Sequence, residues 1–270
     1  MTVFFLFFLF VLGVSMGSFL GVLVDRLPQG QSILGRSHCD FCKKKIPWYD
    51  LLPLLSFINL GGKCRYCQKK ISYFYFLIEL ITGVFFVLVF FLPDLQDNII
   101  SFRTLFWLGI ISCLIVIFFS DLKYQIIPDS IQISLFIFGF FLKVEETERI
   151  FCLKQLLDCY LIKMSENFIA GAVVMLPILF LYWVTGGRGM GFGDVKMSFV
   201  IGFLLGVKGG LLALYFAFII GAVTGLILIL LKRKKLKSKI AFGPFLVFGT
   251  LILIYFQNQI LFLVNKIYGF

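Results

Sequence analysis

The sequence predicts an all-α fold, a polytopic membrane bundle of about eight transmembrane helices with a small zinc-ribbon-like cytoplasmic loop. Three observations predict it. Of 270 residues, 60% are hydrophobic and only 14% charged, with a mean hydropathy of +1.02. A water-soluble chain of this length has no core large enough for that much apolar surface. The apolar residues also fall in long uncharged runs, and the first gap between runs holds two Cys-x-x-Cys pairs.

Taken in order, the runs lie at 3–24, 73–92, 104–121, 129–142, 166–185, 197–207, 210–231 and 241–264. The first is a retained span and not a cleavable signal: it lacks a basic leading segment. At about 1.5 Å per residue it covers the roughly 30 Å hydrocarbon layer, too long for a signal core. The fourth and sixth runs are short for a full crossing. The stretch 143–165 mixes charge with apolar residues at helical spacing, which predicts an amphipathic segment lying at the membrane surface. Two regions follow, 1–92 with the four-Cys loop and 104–264 with the remaining spans.

Eight crossings place the loops 25–72, 122–128, 186–196 and 232–239 on one side, and these hold eighteen of the 25 Lys and Arg. The positive-inside bias makes that side cytoplasmic and puts both termini outside, in the cytoplasmic membrane. The net charge of +11 is thereby explained by topology, and nucleic acid is not expected as a partner. The run Lys232–Lys239 is an anchor that can touch anionic lipid.

Cys39 and Cys42, then Cys64 and Cys67, make two knuckles of the kind that hold a structural Zn²⁺. Four sulfur ligands leave no open position for water, so the metal staples a loop with little core of its own. Lys43, Lys44, Lys45, Lys63 and Arg65 offset the charge of the thiolates. His38 stands beside Cys39 as an alternative ligand. Cys113, Cys152 and Cys159 are expected to be unpaired residues in or near spans.

Acidic side chains at span ends are costly and call for a reason. Asp121 ends the third run, in DLKYQIIPD (Asp121–Asp129), and Asp194 follows the fifth, in GGRGMGFGDVK (Gly186–Lys196). Both reach the cytoplasmic face from different helices. Two carboxyls brought together share one proton: the ionised one activates water, and the neutral one donates to the developing oxyanion. That is aspartyl protease chemistry. Asp129 is a rival to Asp121, although its place after Pro128 suits a helix N-cap. Other classes remain: a proton-coupled transporter using these carboxylates, or a zinc-bearing membrane scaffold without catalysis.

These segments together resemble the type IV prepilin peptidase family, a branch of the GxGD intramembrane aspartyl proteases. The residues that carry the resemblance are GSFLGVLVDRLP (Gly17–Pro28), the Cys loop with DLLPLLS (Asp50–Ser56) and GKCRYC (Gly62–Cys67), the segment ending at Glu79, Asp121 with Ile127–Asp129, and GFGDVK (Gly191–Lys196). Gly21 stands where the family often has Asn. The resemblance implies catalytic Asp121 and Asp194, and cleavage of pilin-like precursors after a Gly on the cytoplasmic side. It also implies, in members with the Cys loop, methylation of the new amine from S-adenosylmethionine, with Glu79 and 25–72 as candidates for that site. Oligomeric state is not legible in the sequence.

Overall fold

The computed structural model describes residues 2–39, 41–92, 95, 101–149, 156–232 and 240–268. Among them the chain is helical, with α1 Thr2–Arg26, a 3-10 turn Trp48–Leu51, α2 Leu55–Asn59, α3 Tyr73–Val89, α4 Phe102–Tyr124, α5 Asp129–Arg149, α6 Leu156–Thr185, α7 Phe192–Leu230 and α8 Gly243–Tyr268. Five helices are long and apolar enough to cross a membrane: α1, α4, α6, α7 and α8. The chain is a multi-pass membrane protein. It divides into two compact units, Met1–Thr104 and Leu105–Phe270.

In the first unit α1 and α3 pack antiparallel. A side chain on Gly13 would strike Gly83 and Phe86, one on Gly17 would strike Glu79 and Thr82, and one on Gly21 would meet Tyr75. Small residues every fourth position let two helix backbones approach closely, the usual substitute for hydrophobic drive inside lipid. Ser72 begins α3 by accepting the Phe74 N–H. The Cys-bearing loop and the short elements between 27 and 72 connect the two helices.

The second unit turns on Gly206. Its backbone is non-helical, at φ 73° and ψ 178°, inside the Phe192–Leu230 stretch. Gly202 and Gly210 would stand about 12 Å apart along a straight helix. Instead a Cβ on Gly210 would lie 3.0 Å from Gly202 Cα. The chain therefore reverses at Gly206, and α7 is a hairpin of two antiparallel arms, as the separate runs 197–207 and 210–231 predict. Both arms press on Val174 of α6. The second arm then packs antiparallel to α8: Gly249 of α8 abuts Ala213, and Phe242 stacks near Phe218 at 5.0 Å. The reversal returns the chain, so α8 starts at the same end of the unit as α7.

The stretch 143–165 forms the end of α5, which runs on to Arg149, and the start of α6, from Leu156, with 150–155 outside the described residues. The charges are accommodated within the helices, where Lys143 pairs with Glu146 at 2.8 Å and joins Thr147, Lys163, Glu166 and Asn167 around a polar recess. Ion pairing at i,i+3 lets a short apolar run continue as helix past its uncharged part. Most of the basic anchor, 233–239, lies outside the described residues, as do Cys152 and the side chain of Cys159, whereas Cys113 is buried and free.

Candidate active site

The helix ends that carry acidic residues converge in the second unit. Asp121 lies one turn before the end of α4, and the chain leaves that helix through Gln125 at φ 54°. The Gln125 N–H donates to the Asp121 carbonyl at 2.9 Å and the Ser120 hydroxyl donates to the Ile126 carbonyl at 2.9 Å. The loop so fixed runs into α5 at Pro128, whose carbonyl accepts the Gln132 N–H at 3.2 Å. Pro128 thus takes the cap position and Asp129 the first helical one, against the N-cap expected for Asp129. The Asp129 carboxylate instead pairs with Lys196 Nζ at 2.7 Å, tying α5 to α7 with its side chain 64% exposed.

Asp194 occupies the third position of α7, where its Oδ2 accepts the Gly191 N–H at 3.1 Å. A carboxylate reaching back to the first turn caps a helix and sits at the positive end of its dipole. Gln132 makes a second tie, its Nε2 donating to the Gly193 carbonyl at 2.9 Å. Asp121 Oδ2 accepts the Gly243 N–H at 2.8 Å, from the first residue of α8. The two aspartates are 5% and 7% exposed, and the loop after Asp121 reaches the turn before Asp194, where a Cβ on Gly193 would lie 3.3 Å from Ile127 Cβ. Of the acidic candidates, then, Asp121 and Asp194 are buried at helix ends joined by this loop, and Asp129 is exposed and paired with Lys196.

Gly243 and Gln132 carry no motif in the sequence. The Gly-Pro step at 243–244 before an apolar run announces a helix start, but nothing there announces a carboxylate partner 122 residues away.

In the first unit the two knuckles repeat one backbone design twenty-five residues apart. Cys39 N–H donates to Lys44 O and Cys64 N–H to Lys69 O, while Lys43 N–H returns to Cys39 O and Gln68 N–H to Cys64 O, all at 2.9–3.0 Å. Lys43 and Gln68 each take a positive φ, 57° and 56°, to close the turn. The four sulfurs all lie within 4.8 Å of one another, with Cys39 Sγ and Cys67 Sγ 3.8 Å apart. A tetrahedral ion with metal–sulfur bonds near 2.3 Å sets its sulfurs about 3.8 Å apart, so these residues fit a metal ion of zinc's size. Hydrogen bonds from the Cys67 and Tyr66 backbone pull the Cys64 thiol down to about 7. Cys67 receives a lowering bond from the Lys69 backbone, yet burial and the other thiols push it up to about 11. His38 is not among the clustered groups; its ring Nδ1 lies 3.4 Å from the Arg36 carbonyl. Arg65 grips Asp50 with two bonds of 2.6 and 2.7 Å, and that guanidinium holds the Asp50 carboxyl below its usual range.

Glu79 stands half-buried in α3, and its Oε2 accepts the Leu54 N–H at 2.8 Å. Leu54 is a non-glycine residue at φ 59°, so the bond fixes a turn that its own backbone disfavours. Nearby, the Tyr75 hydroxyl donates to Asp25.

Against known proteins, residues 11–92 match the bacterial peptidase A24 N-terminal domain and residues 108–226 match the type IV leader peptidase family. A protein of Bacillus subtilis (strain 168) named prepilin leader peptidase/N-methyltransferase is 30% identical over 254 residues, 94% of this chain and 95% of its own. Proteins of the same name from Aeromonas salmonicida (29% identical, covering 93% of this chain and 90% of the relative) and Vibrio cholerae (30%, covering 73% and 76%) are also similar. No solved structure matches. With two buried aspartates where four helix ends converge, and similarity running nearly end to end, the chain belongs to the type IV leader peptidase family.

Proposed function

We propose that this protein is an aspartic endopeptidase that removes the leader of type IV pilin-like precursors at the cytoplasmic face of the cell membrane, with Asp121 and Asp194 as its catalytic pair. The observation that supports the reading is the burial of two carboxylates from separate helices at one cluster of helix ends, Asp121 against Gly243 and Gly193 beside Ile127. In each, Oδ2 is held by a backbone N–H, from Gly243 and Gly191 respectively. That leaves each Oδ1 without a protein donor among the described residues, free for a shared proton and an attacking water. The ionised member takes a proton from water as it adds to the scissile carbonyl. The protonated member donates to the oxyanion, and the proton gained passes to the leaving amine. The pair titrates as one unit, so neither carboxyl is by itself the acid or the base.

In this reading residues 104–264 form the protease core, and 1–92 is the region for the second activity in the relatives' name, N-methylation. The basic loops face the cytoplasm and both termini lie outside. Cys39, Cys42, Cys64 and Cys67 hold a structural zinc, which supplies cross-linking to a loop and no reactive position. For a methyl donor the residues present fit less well. Glu79 is engaged by the Leu54 N–H, which makes it a clamp for the turn.

The test is direct. Purified full-length protein is incubated with a pilin-like precursor, with and without S-adenosylmethionine, and the product's mass is read. Leader loss in the wild type and none with Asp121→Asn or Asp194→Asn is expected. Full processing by either variant refutes the pair. The mass of one methyl group, appearing only with the donor, reports the second activity, and its absence removes that part alone.

A further inference from the structure

Between α1 and α3 lies a strip of apolar side chains that none of the described residues covers. Trp48 is 76% exposed, Leu55 60% and Ile58 64%, with Tyr49, Leu51 and Leu52 exposed beside them. They belong to the 3-10 turn Trp48–Leu51 and to α2. A contiguous apolar surface of this kind facing water marks a place where something else sits.

Its height is fixed by α3. Leu54, in the middle of the strip, donates its N–H to Glu79 at 2.8 Å, and Phe57 packs its ring 5.3 Å from both Tyr73 and Phe76. Glu79 is the seventh residue of α3, about 9 Å along the helix axis from its start. The 17 residues of α3 reach about 26 Å, less than the roughly 30 Å hydrocarbon layer, so its first turns cannot project far into water. A turn bonded to Glu79 must lie near the boundary between headgroups and acyl chains. The side chains flanking Leu54 then point into lipid.

Charge selects which lipid. Residues 27–72 carry eight Lys and Arg against two Asp. One of those, Asp50, is already neutralised by Arg65. Lys43, Lys44 and Lys45 directly precede the strip, and Lys63, Lys69 and Lys70 follow it. Basic residues around an apolar strip are drawn to anionic headgroups, and Trp is at home at that depth.

We propose that Trp48–Asn59 is an interfacial anchor seated on the anionic phospholipid of the bilayer the chain spans, holding the cysteine knuckles at a set distance from the membrane. The assignment stands apart from the protease reading and does not depend on it.

The experiment uses the full-length protein in vesicles of phosphatidylcholine alone or with phosphatidylglycerol. The signal of Trp48 is the difference between wild type and Trp48→Phe. Lipid brominated at shallow acyl positions should quench it, and aqueous iodide should reach it several-fold less well than free tryptophan. Replacing Lys43, Lys44 and Lys45 together by Gln should raise iodide access at least twofold. Iodide access equal to that of free tryptophan overturns the proposal, and so does protection from both quenchers, which would mean that protein covers the strip. In unsubstituted protein, amide exchange over 48–59 should slow several-fold when phosphatidylglycerol is present. Equal exchange in the two kinds of vesicle overturns the anionic seat.

Discussion

Asp121 Oδ2 is held by the backbone of Gly243, whose N–H lies 2.8 Å away at the start of α8. A Cβ on residue 243 would stand 2.7 Å from that oxygen and 3.1 Å from the carboxyl carbon. No real side chain tolerates such an approach, so Gly243→Ala must displace either the carboxylate or the first turn of α8. The substitution is expected to lower precursor cleavage by about 10²-fold, the scale of a roughly 1 Å misplacement of a reacting group. Folding should survive, because the backbone there needs no positive φ. Cleavage kinetics beside a thermal melt in detergent check this; wild-type rates from Gly243→Ala would mean that Asp121 does not act from the position seen.

Gln132 bridges α5 to the glycine before Asp194, donating to the Gly193 carbonyl at 2.9 Å. Only 4% of it is exposed, and its Oε1 has no protein partner. Gln132→Leu should cost about 0.5–1.5 kcal/mol through the lost bond to the Gly193 carbonyl, which keeps its partner within α7. It should also lower kcat more than it raises KM, since α7 starts less firmly under Asp194. Gln132→Glu should do worse, setting carboxylate against carbonyl beside two other acids. The decisive comparison is the order of the two variants in kcat, and equal values would reduce Gln132 to packing.

How much of this was legible from residues alone depends on the kind of signal. Apolar runs report spans because lipid demands them locally, and the two Cys-x-x-Cys knuckles report a metal site because both pairs lie within one short loop. Asp121 and Asp194 stood out because charge at span ends is rare. Gly243 and Gln132 did not, since their roles exist only once α4, α5, α7 and α8 are assembled, and a backbone N–H leaves no trace in a residue's identity. The pairing of Lys143 with Glu146 was hidden for a related reason: it exists only once α5 is helical and sets the two residues one turn apart.

The four-sulfur cluster leads to a metal prediction. Purified protein should carry one zinc, and Cys64→Ser should release it and loosen the loop between α1 and α3. The same loss should follow acidification, because a metal-bound sulfur must be deprotonated and protons compete for it. Leader cleavage should fall much less than with Asp121→Asn, the ligands lying in the other compact unit. Elemental analysis alongside a cleavage assay decides it, and protein that retains zinc after Cys64→Ser sinks the ligand set.

Gly206 permits the reversal on which the position of α8 depends. At φ 73° and ψ 178° its backbone is in a region essentially reserved for glycine, yet a Cβ there would meet nothing within 4 Å. Gly206→Ala therefore isolates backbone strain from crowding and should destabilise the protein by about 1–3 kcal/mol. Gly202→Ala tests the opposite case, with ordinary backbone but a Cβ 2.6 Å from the Ala170 carbonyl and 2.7 Å from Val174. Neither contact is the far end of a flexible side chain, so the arms must separate from α6, and overpacking of about 1–3 kcal/mol is expected. If the hairpin sets where α8 begins, Gly206→Ala should also weaken cleavage, because Gly243 can reach Asp121 only when the second arm returns to the end where α7 started. Unfolding midpoints and cleavage rates on the same preparations separate the two effects. A Gly206→Ala protein that matches wild type in both would show that the turn is not held as described.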